Sequence, residues 1–133
     1  MDIDLHSGFT DLLGLVLREA TPDLCVGAID AGESHHQPLG LVHGGVYASL
    51  VETLASTGAA LWAIEQGMAG VVGVSNSTDF LRAHRRGPLT GTATPIHRGR
   101  TQQLWLVEVT RDSDGKLVAR GQVRLQNLAE LPA

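Results

Sequence analysis

The chain has 133 residues, of which 43% are apolar, with a formal net charge of −4 and one cysteine. That length suits one domain, and ten Lys and Arg are too few for a protein whose main task is neutralising nucleic-acid phosphates. Cys25 has no partner for an internal disulfide, which points to a reducing cytoplasm.

Residues 1–6 are partly acidic and lack an apolar run behind a basic start, unlike a secretory leader. Gly8–Leu13 predicts a short helical turn. Residues 15–20 and 24–29 read as strands, with Thr21-Pro22-Asp23 as the turn between them. Residues 30–42, rich in Gly, His and Pro, read as a loop. A long helix is expected from about Gly44 to Gln66, stopped by Gly67. The pattern then changes to period two, with Val72, Val74, Asn76, Thr78 and Phe80 sharing one face. Residues 90–96 form a weaker strand that Pro95 is expected to break, and residues 104–110 form a strong one. Asp114-Gly115 signals a hairpin into 117–125. There Leu117, Ala119, Gly121, Val123 and Leu125 alternate with a largely solvated set, Val118, Arg120, Gln122 and Arg124. Aromatics are only 4% of the chain, so Val, Leu and Ala must build the core, which suits a helix lying close against a sheet. The expected architecture is α+β, an antiparallel sheet of five or six strands around one long helix, in a single domain over residues 1–133.

Residues 46–64 contain one charge, Glu52, and approach the length of a membrane span. A charge near the centre costs roughly 2.5–3.5 kcal/mol on insertion scales, and an Ala-rich remainder offsets little of it. A buried helix, away from any membrane, is the expectation. Around it, Ser49, Glu52, Thr53, Ser56 and Thr57 recur at i, i+3, i+4, i+7 and i+8, on one face. Solvated faces usually carry ladders of Lys and Glu, whereas this one offers hydroxyls and a single carboxylate. So apolar a helix would leave Glu52 partly desolvated, a setting that suits a nucleophile or general base.

His43-Gly44-Gly45 opens the helix. Two glycines there reflect either a tight turn or the close approach of another group. A helix N-terminus with open N–H groups can hold an oxyanion. Carboxylate, helix terminus and polar loop together make a hydrolase constellation. Other chemistries fare worse. His35, His36 and His43 lack metal-ligand spacing, so no metal is expected. No Ser lies in a GxSxG setting, no nucleotide-binding glycine loop is present, and Cys25 sits in an apolar run. Half of the basic residues (Arg82, Arg85, Arg86, Arg98 and Arg100) fall in one short stretch. Such clustering fits a small phosphate-bearing ligand, or else a solvated basic loop.

The run from His36 to Gly45, with Gln37 and His43-Gly44-Gly45, followed by Glu52 and Ser56, resembles the hotdog-fold acyl-CoA thioesterases. The resemblance is to the branch of the phenylacetate-pathway, Arthrobacter-type 4-hydroxybenzoyl-CoA and enterobactin-pathway proofreading thioesterases. It continues through Phe80-Leu81-Arg82, His97 to Arg100, Gln103, Trp105 and Asp114-Gly115, and so spans nearly the whole chain. One departure is Ala83, where many relatives carry Pro, and it leaves the local loop path open. The resemblance implies a hotdog fold and hydrolysis of acyl-CoA, with coenzyme A as part of the substrate and no separate cofactor. Glu52 would be nucleophile or general base. The Gly44 N–H would polarise the thioester carbonyl, Gln37 would position it, His43 would hold the loop, and Ser56 would orient the carboxylate or water. Arg98 and Arg100 are the candidates for coenzyme A phosphates. The resemblance further implies a homodimer or homotetramer with sites at the subunit interface, Gln37 and Gly44 facing Glu52 and Ser56 of the other subunit. Tyr47, Leu50 and Trp62 are candidates for the acyl pocket. A non-catalytic acyl-CoA sensor on the same fold is the alternative. Against a hydratase of this fold stands the absence of its Asp-x-x-x-x-His pattern.

Overall fold

In the computed structural model, which describes residues 8–133, six strands form one antiparallel sheet and a long helix lies across it. The elements are α1 (Gly8–Leu13), β1 (Val16–Ala20), β2 (Cys25–Ala31), α2 (Gly44–Glu65), β3 (Gly70–Phe80), β4 (Gly87–Arg98), β5 (Gln102–Arg111) and β6 (Leu117–Leu128). A 3-10 turn, Glu33–His35, precedes α2. The acidic segment 1–6, read as unlike a leader, lies outside the described residues.

The strand order is β1-β2-β4-β5-β6-β3. Because α2 links the second strand to the far edge, it has to cross the sheet. Its apolar side (Leu50, Val51, Leu54, Ala55 and Ala59) has no exposed surface and packs with Leu89, Trp105, Val107, Val123 and Leu125 in one core. Each buried Leu contributes about 1.5–3 kcal/mol. Small residues bring helix and sheet together: a Cβ on Gly91 would stand 2.6 Å from Leu54 Cδ1, and one on Gly58 would stand 2.6 Å from the Trp105 ring. No helix among the described residues is long and apolar enough to cross a membrane.

A buried polar chain fixes the helix on the sheet. Trp105 Nε1 donates to Gln103 Oε1 at 2.8 Å, and Gln103 Nε2 donates to Ala59 O at 3.0 Å and to Asn127 Oδ1 at 2.8 Å. Asn127 Nδ2 then donates to Gly99 O and Arg100 O, at 2.9 and 3.1 Å. Gln103 is 1% exposed, so a lost partner would strand a buried amide at a cost of about 1–3 kcal/mol.

Three expectations are corrected. Val72, Val74, Asn76, Thr78 and Phe80 do not share one face, because a bulge between Gly73 and Ser75 leaves Val72 and Val74 outward and exposed while Asn76, Thr78 and Phe80 turn toward α2. β4 is not broken at Pro95 but runs through it for 12 residues. Its pairing with β2 ends at Cys25↔Ala93. Pro95 therefore lies where β4 has lost that neighbour, and a bulge between Pro95 and His97 accommodates the chain. Val118, expected on the solvated face of β6, is buried. Val118 is the extra residue of a bulge between Leu117, paired with Thr110, and Ala119, paired with Val109, so Val118 and Ala119 both turn into the core.

The two sheet edges differ. β1 has 5 residues and a bulge between Leu17 and Glu19. β3 has 11 residues, and its outer side is unpaired with Val72 and Val74 exposed.

Candidate active site

At the start of α2, His43 is the N-cap and its Nδ1 accepts the Gly45 N–H at 2.7 Å. That bond needs a bare Nδ1, which puts the imidazole proton on Nε2. Val46 N donates to His43 O at 2.9 Å. Gly44 N–H is left without a partner among the described residues, at the positive end of a 22-residue helix. Gly44 also lacks room for a side chain, since a Cβ would stand 2.5 Å from the Phe80 ring. Of the two glycines, Gly44 is thus approached by Phe80, while Gly45 is approached by the His43 ring that caps the helix.

Gln37 lies in the turn before the helix. Its Oε1 accepts the Leu39 N–H, which leaves the amide NH2 available. Gln37 and Gly44 border one cavity of about 310 Å³ with Tyr47, Phe80, Arg82 and His84. Tyr47 is 2% exposed, and its hydroxyl has no partner among the described residues. Burial pushes its phenol up, opposed by the charge of Arg111.

Glu52 projects from α2 about 12 Å further along, eight residues at 1.5 Å each. It is half-buried. Asn76 Nδ2 donates to Glu52 Oε2 at 3.2 Å and to Ala48 O at 3.0 Å. Glu52 Oε1 rests over Gly73, beside the β3 bulge between Gly73 and Ser75. The polar stripe divides into two kinds of residue. Ser49, Thr53 and Thr57 hydroxyls return to the helix carbonyls of Gly45, Ser49 and Thr53 at 2.6, 2.8 and 2.7 Å. Those three are satisfied by the backbone. Ser56 is the hydroxyl that makes no such bond among the described residues, and with Glu52 it borders a mainly apolar cavity of about 380 Å³ lined by Ala60, Ile64, Val71 and Leu131.

Within one chain, therefore, Gln37 and Gly44 share one cavity while Glu52 and Ser56 share another. Leu50, a candidate for the acyl pocket, lies instead in the core, and Trp62 lies under Arg98, whose Cζ is 5.7 Å from the ring centroid.

The arginine cluster also divides. Arg98 bonds Pro22 O at 2.8 Å and Asp23 Oδ1 at 2.7 Å, tying β4 to the first turn. Arg85 clamps Leu39 O and Gly40 O, at 3.2 and 3.3 Å. Arg86 pairs with Glu33 at 3.0 Å, an exposed pair of little energetic worth. Arg82 and Arg100 make no side-chain bond among the described residues. Arg100 borders a cavity of about 380 Å³ with His97 and Arg124. Ala83, the departure from the family pattern, is held through its carbonyl by Arg111 at 3.0 Å. His35 and His36 bridge loops, His35 Nε2 to Leu13 O at 2.8 Å and His36 Nε2 to Arg85 O at 2.6 Å. No group of three His, Cys, Asp or Glu able to hold a metal occurs among the described residues.

Sequence reasoning did not single out Asn76 or Gly73 as site residues. The signal was the polar run Ser75 to Thr78 inside a strand that starts apolar, a break that alternation alone does not explain.

An antiparallel sheet wrapped on one long helix, with a carboxylate two turns into that helix and an open amide at its start, defines a hotdog-fold protein. The family model described as the thioesterase superfamily matches residues 39–118. The chain belongs to that superfamily, whose class of activity is thioester hydrolysis. It is 50% identical over 125 residues to Rv1847 of Mycobacterium tuberculosis, provisionally named an esterase, covering 93% of this chain and 89% of the relative. The solved structure of Rv1847 superposes with a TM-score of 0.88 at 48% identity, covering 93% of this chain and 98% of that one. The proofreading thioesterase EntH of Cronobacter sakazakii is 36% identical over 104 residues, 78% of this chain and 74% of the relative. The 1,4-dihydroxy-2-naphthoyl-CoA hydrolase of Listeria monocytogenes is 32% identical over 107 residues, 80% of this chain and 85% of the relative.

Proposed function

We propose that the protein hydrolyses acyl-CoA thioesters in a reducing cytoplasm, with Glu52 as the catalytic carboxylate and the Gly44 N–H polarising the carbonyl. The observation that carries this reading is the setting of Glu52. It is the one carboxylate of the polar stripe on a largely buried helix, held by Asn76 and beside the one hydroxyl of that stripe that the helix leaves unused. Glu52 either takes a proton from the attacking water or attacks the carbonyl carbon itself, giving an anhydride that water then opens. Both routes place negative charge on the thioester oxygen, where a helix-terminal N–H stabilises it. Both end in a free acid and coenzyme A. The Listeria relative, named for a CoA thioester, and EntH, named a thioesterase, support this substrate class.

The separation of Gly44 from Glu52 supports a site built from two copies. Gly44 lies under Phe80, and Glu52 under Gly73, both on the open edge strand β3. If a second copy pairs antiparallel on that edge, with its two-fold axis at Ser77 and the bulge between Gly73 and Ser75 taking up one residue, Phe80 of one copy stands opposite Gly73 of the other. The Gly44 N–H then comes alongside the partner's Glu52, and Gln37 alongside the partner's Ser56. His43 keeps the turn before Gly44 in place. For the coenzyme A portion, Arg98 is committed to Pro22 and Asp23, so Arg100, beside His97 and Arg124, is the better phosphate ligand of the expected pair.

The test is release of free thiol from a panel of acyl-CoAs by wild type and Glu52→Gln. The variant should lose about 10²–10⁴-fold in kcat. Near wild-type turnover would overturn the assignment, and wild-type binding of acyl-CoA without thiol release would select the sensor reading.

A further inference from the structure

We infer that Asn76, oriented by Thr78, is the positioning residue that holds Glu52 in its working rotamer. The inference rests on Glu52 being the catalytic carboxylate and adds the means by which it is aimed. A glutamate on an open helix face can adopt many rotamers, and a site needs one of them.

Asn76 Nδ2 reaches two acceptors at once, Ala48 O at 3.0 Å and Glu52 Oε2 at 3.2 Å. Ala48 lies one turn before Glu52, so a single amide group fixes the carboxylate relative to its own helix turn and ties both to β3. The amide has only one workable orientation. Turned over, Oδ1 would face a carbonyl and a carboxylate, lone pairs against lone pairs. Thr78 secures the correct side, since its Oγ1–H donates to Asn76 Oδ1 at 2.7 Å. Room for that hydroxyl comes from β6, where a Cβ on Gly121 would stand 2.5 Å from Thr78 Oγ1. The bulge between Gly73 and Ser75 brings the strand into this register. Thr78, Asn76 and Glu52 thus form a short relay from sheet to helix whose last member is the reacting group.

Among the described residues, the cavities bordered by Glu52 contain no other acid or base. Within one chain, a charge placed at position 76 would therefore act first on Glu52. Asn76→Asp sets a second carboxylate against the first, which makes Glu52 harder to ionise and moves the acid limb of the kcat/KM profile to higher pH. Asn76→Ala should lower kcat by about 10–100-fold, the scale of one hydrogen bond to a charged group, with KM nearly unchanged. Thr78→Val should show a smaller loss that Thr78→Ser restores. Steady-state thiol release across pH, with thermal unfolding as the fold control, reads all four variants beside Glu52→Gln. If Glu52→Gln is inactive while Asn76→Asp keeps the wild-type pH profile and Asn76→Ala keeps its kcat, the relay is overturned and the function stands. If Glu52→Gln is active, the functional reading itself fails.

Discussion

Glu52 and Gly73 are fitted to one another: a Cβ on Gly73 would overlap Glu52 Oε1. The strand gives up a side chain so that the helix carboxylate can lie against its backbone.

Gly73→Ala should accordingly leave the fold intact, because Gly73 has no positive φ and the strand is exposed there. The displaced carboxylate should lower kcat by about 10²-fold, the scale of an ångström-sized misplacement. Thiol release measured beside thermal unfolding separates the two effects. Wild-type kcat would mean that Glu52 works equally well from another rotamer.

Shared sites predict complementation. Gly44→Pro removes the polarising N–H at a helical position that tolerates Pro, and the Phe80 ring it meets is exposed and able to swing aside. Gly44→Pro and Glu52→Gln should each be nearly inactive alone. In a mixed dimer both lesions fall in one site, and the other site keeps a complete set. Activity should reappear when the two are unfolded and refolded together. Mixed dimers that stay inactive would show that each site is built within one chain.

The phosphate assignment is tested by Arg100→Gln, which should raise KM for an acyl-CoA several-fold and leave an acyl-N-acetylcysteamine unaffected. Arg98→Gln should instead lower the melting temperature by loosening the Pro22-Asp23 turn. Equal KM effects of Arg100→Gln on both substrates would place its role away from the cofactor.

Asp114 offers a pH prediction for stability. Arg111 Nε and the Lys116 N–H hold its carboxyl at about 2, below an ordinary value of 3.8. A depressed carboxyl stabilises the fold above the ordinary value, and that contribution is lost as pH falls toward the folded one. The advantage of wild type over Asp114→Asn in melting temperature should thus be constant above pH about 4 and vanish near pH about 2. A difference persisting at pH 2 would show that the carboxyl acts through shape rather than charge.

The helix, the presence of strands and the carboxylate at position 52 were legible because each depends on local pattern, whereas the period of β3 was not, since the bulge between Gly73 and Ser75 changes its face. A 22-residue helix with one charge between residues 46 and 64 announces itself, and Asp114-Gly115 marks its hairpin. Pro95 misled because its tolerance depends on where β2 stops, a fact about a strand some 70 residues away in sequence. Val118 misled for a similar reason, since its burial comes from a bulge in the pairing with β5, which the alternation of β6 alone does not announce. The stripe of hydroxyls was legible as a face but not as two populations; only side-chain geometry separates Ser56 from Ser49, Thr53 and Thr57. Asn76 was invisible for the same cause, being one polar residue in a strand until the helix is laid over it.

The contrast between the sheet's two margins has a consequence for copy number. β1 is short, kinked by its bulge and carries exposed Arg18 and Glu19, all features that discourage a further strand from adding. β3 is long, and its described charge is Asp79 alone. A chain with two inviting margins would polymerise into a ribbon. One inviting margin would be used up by a single pairing event, so edge-to-edge growth in the proposed dimer would stop at two.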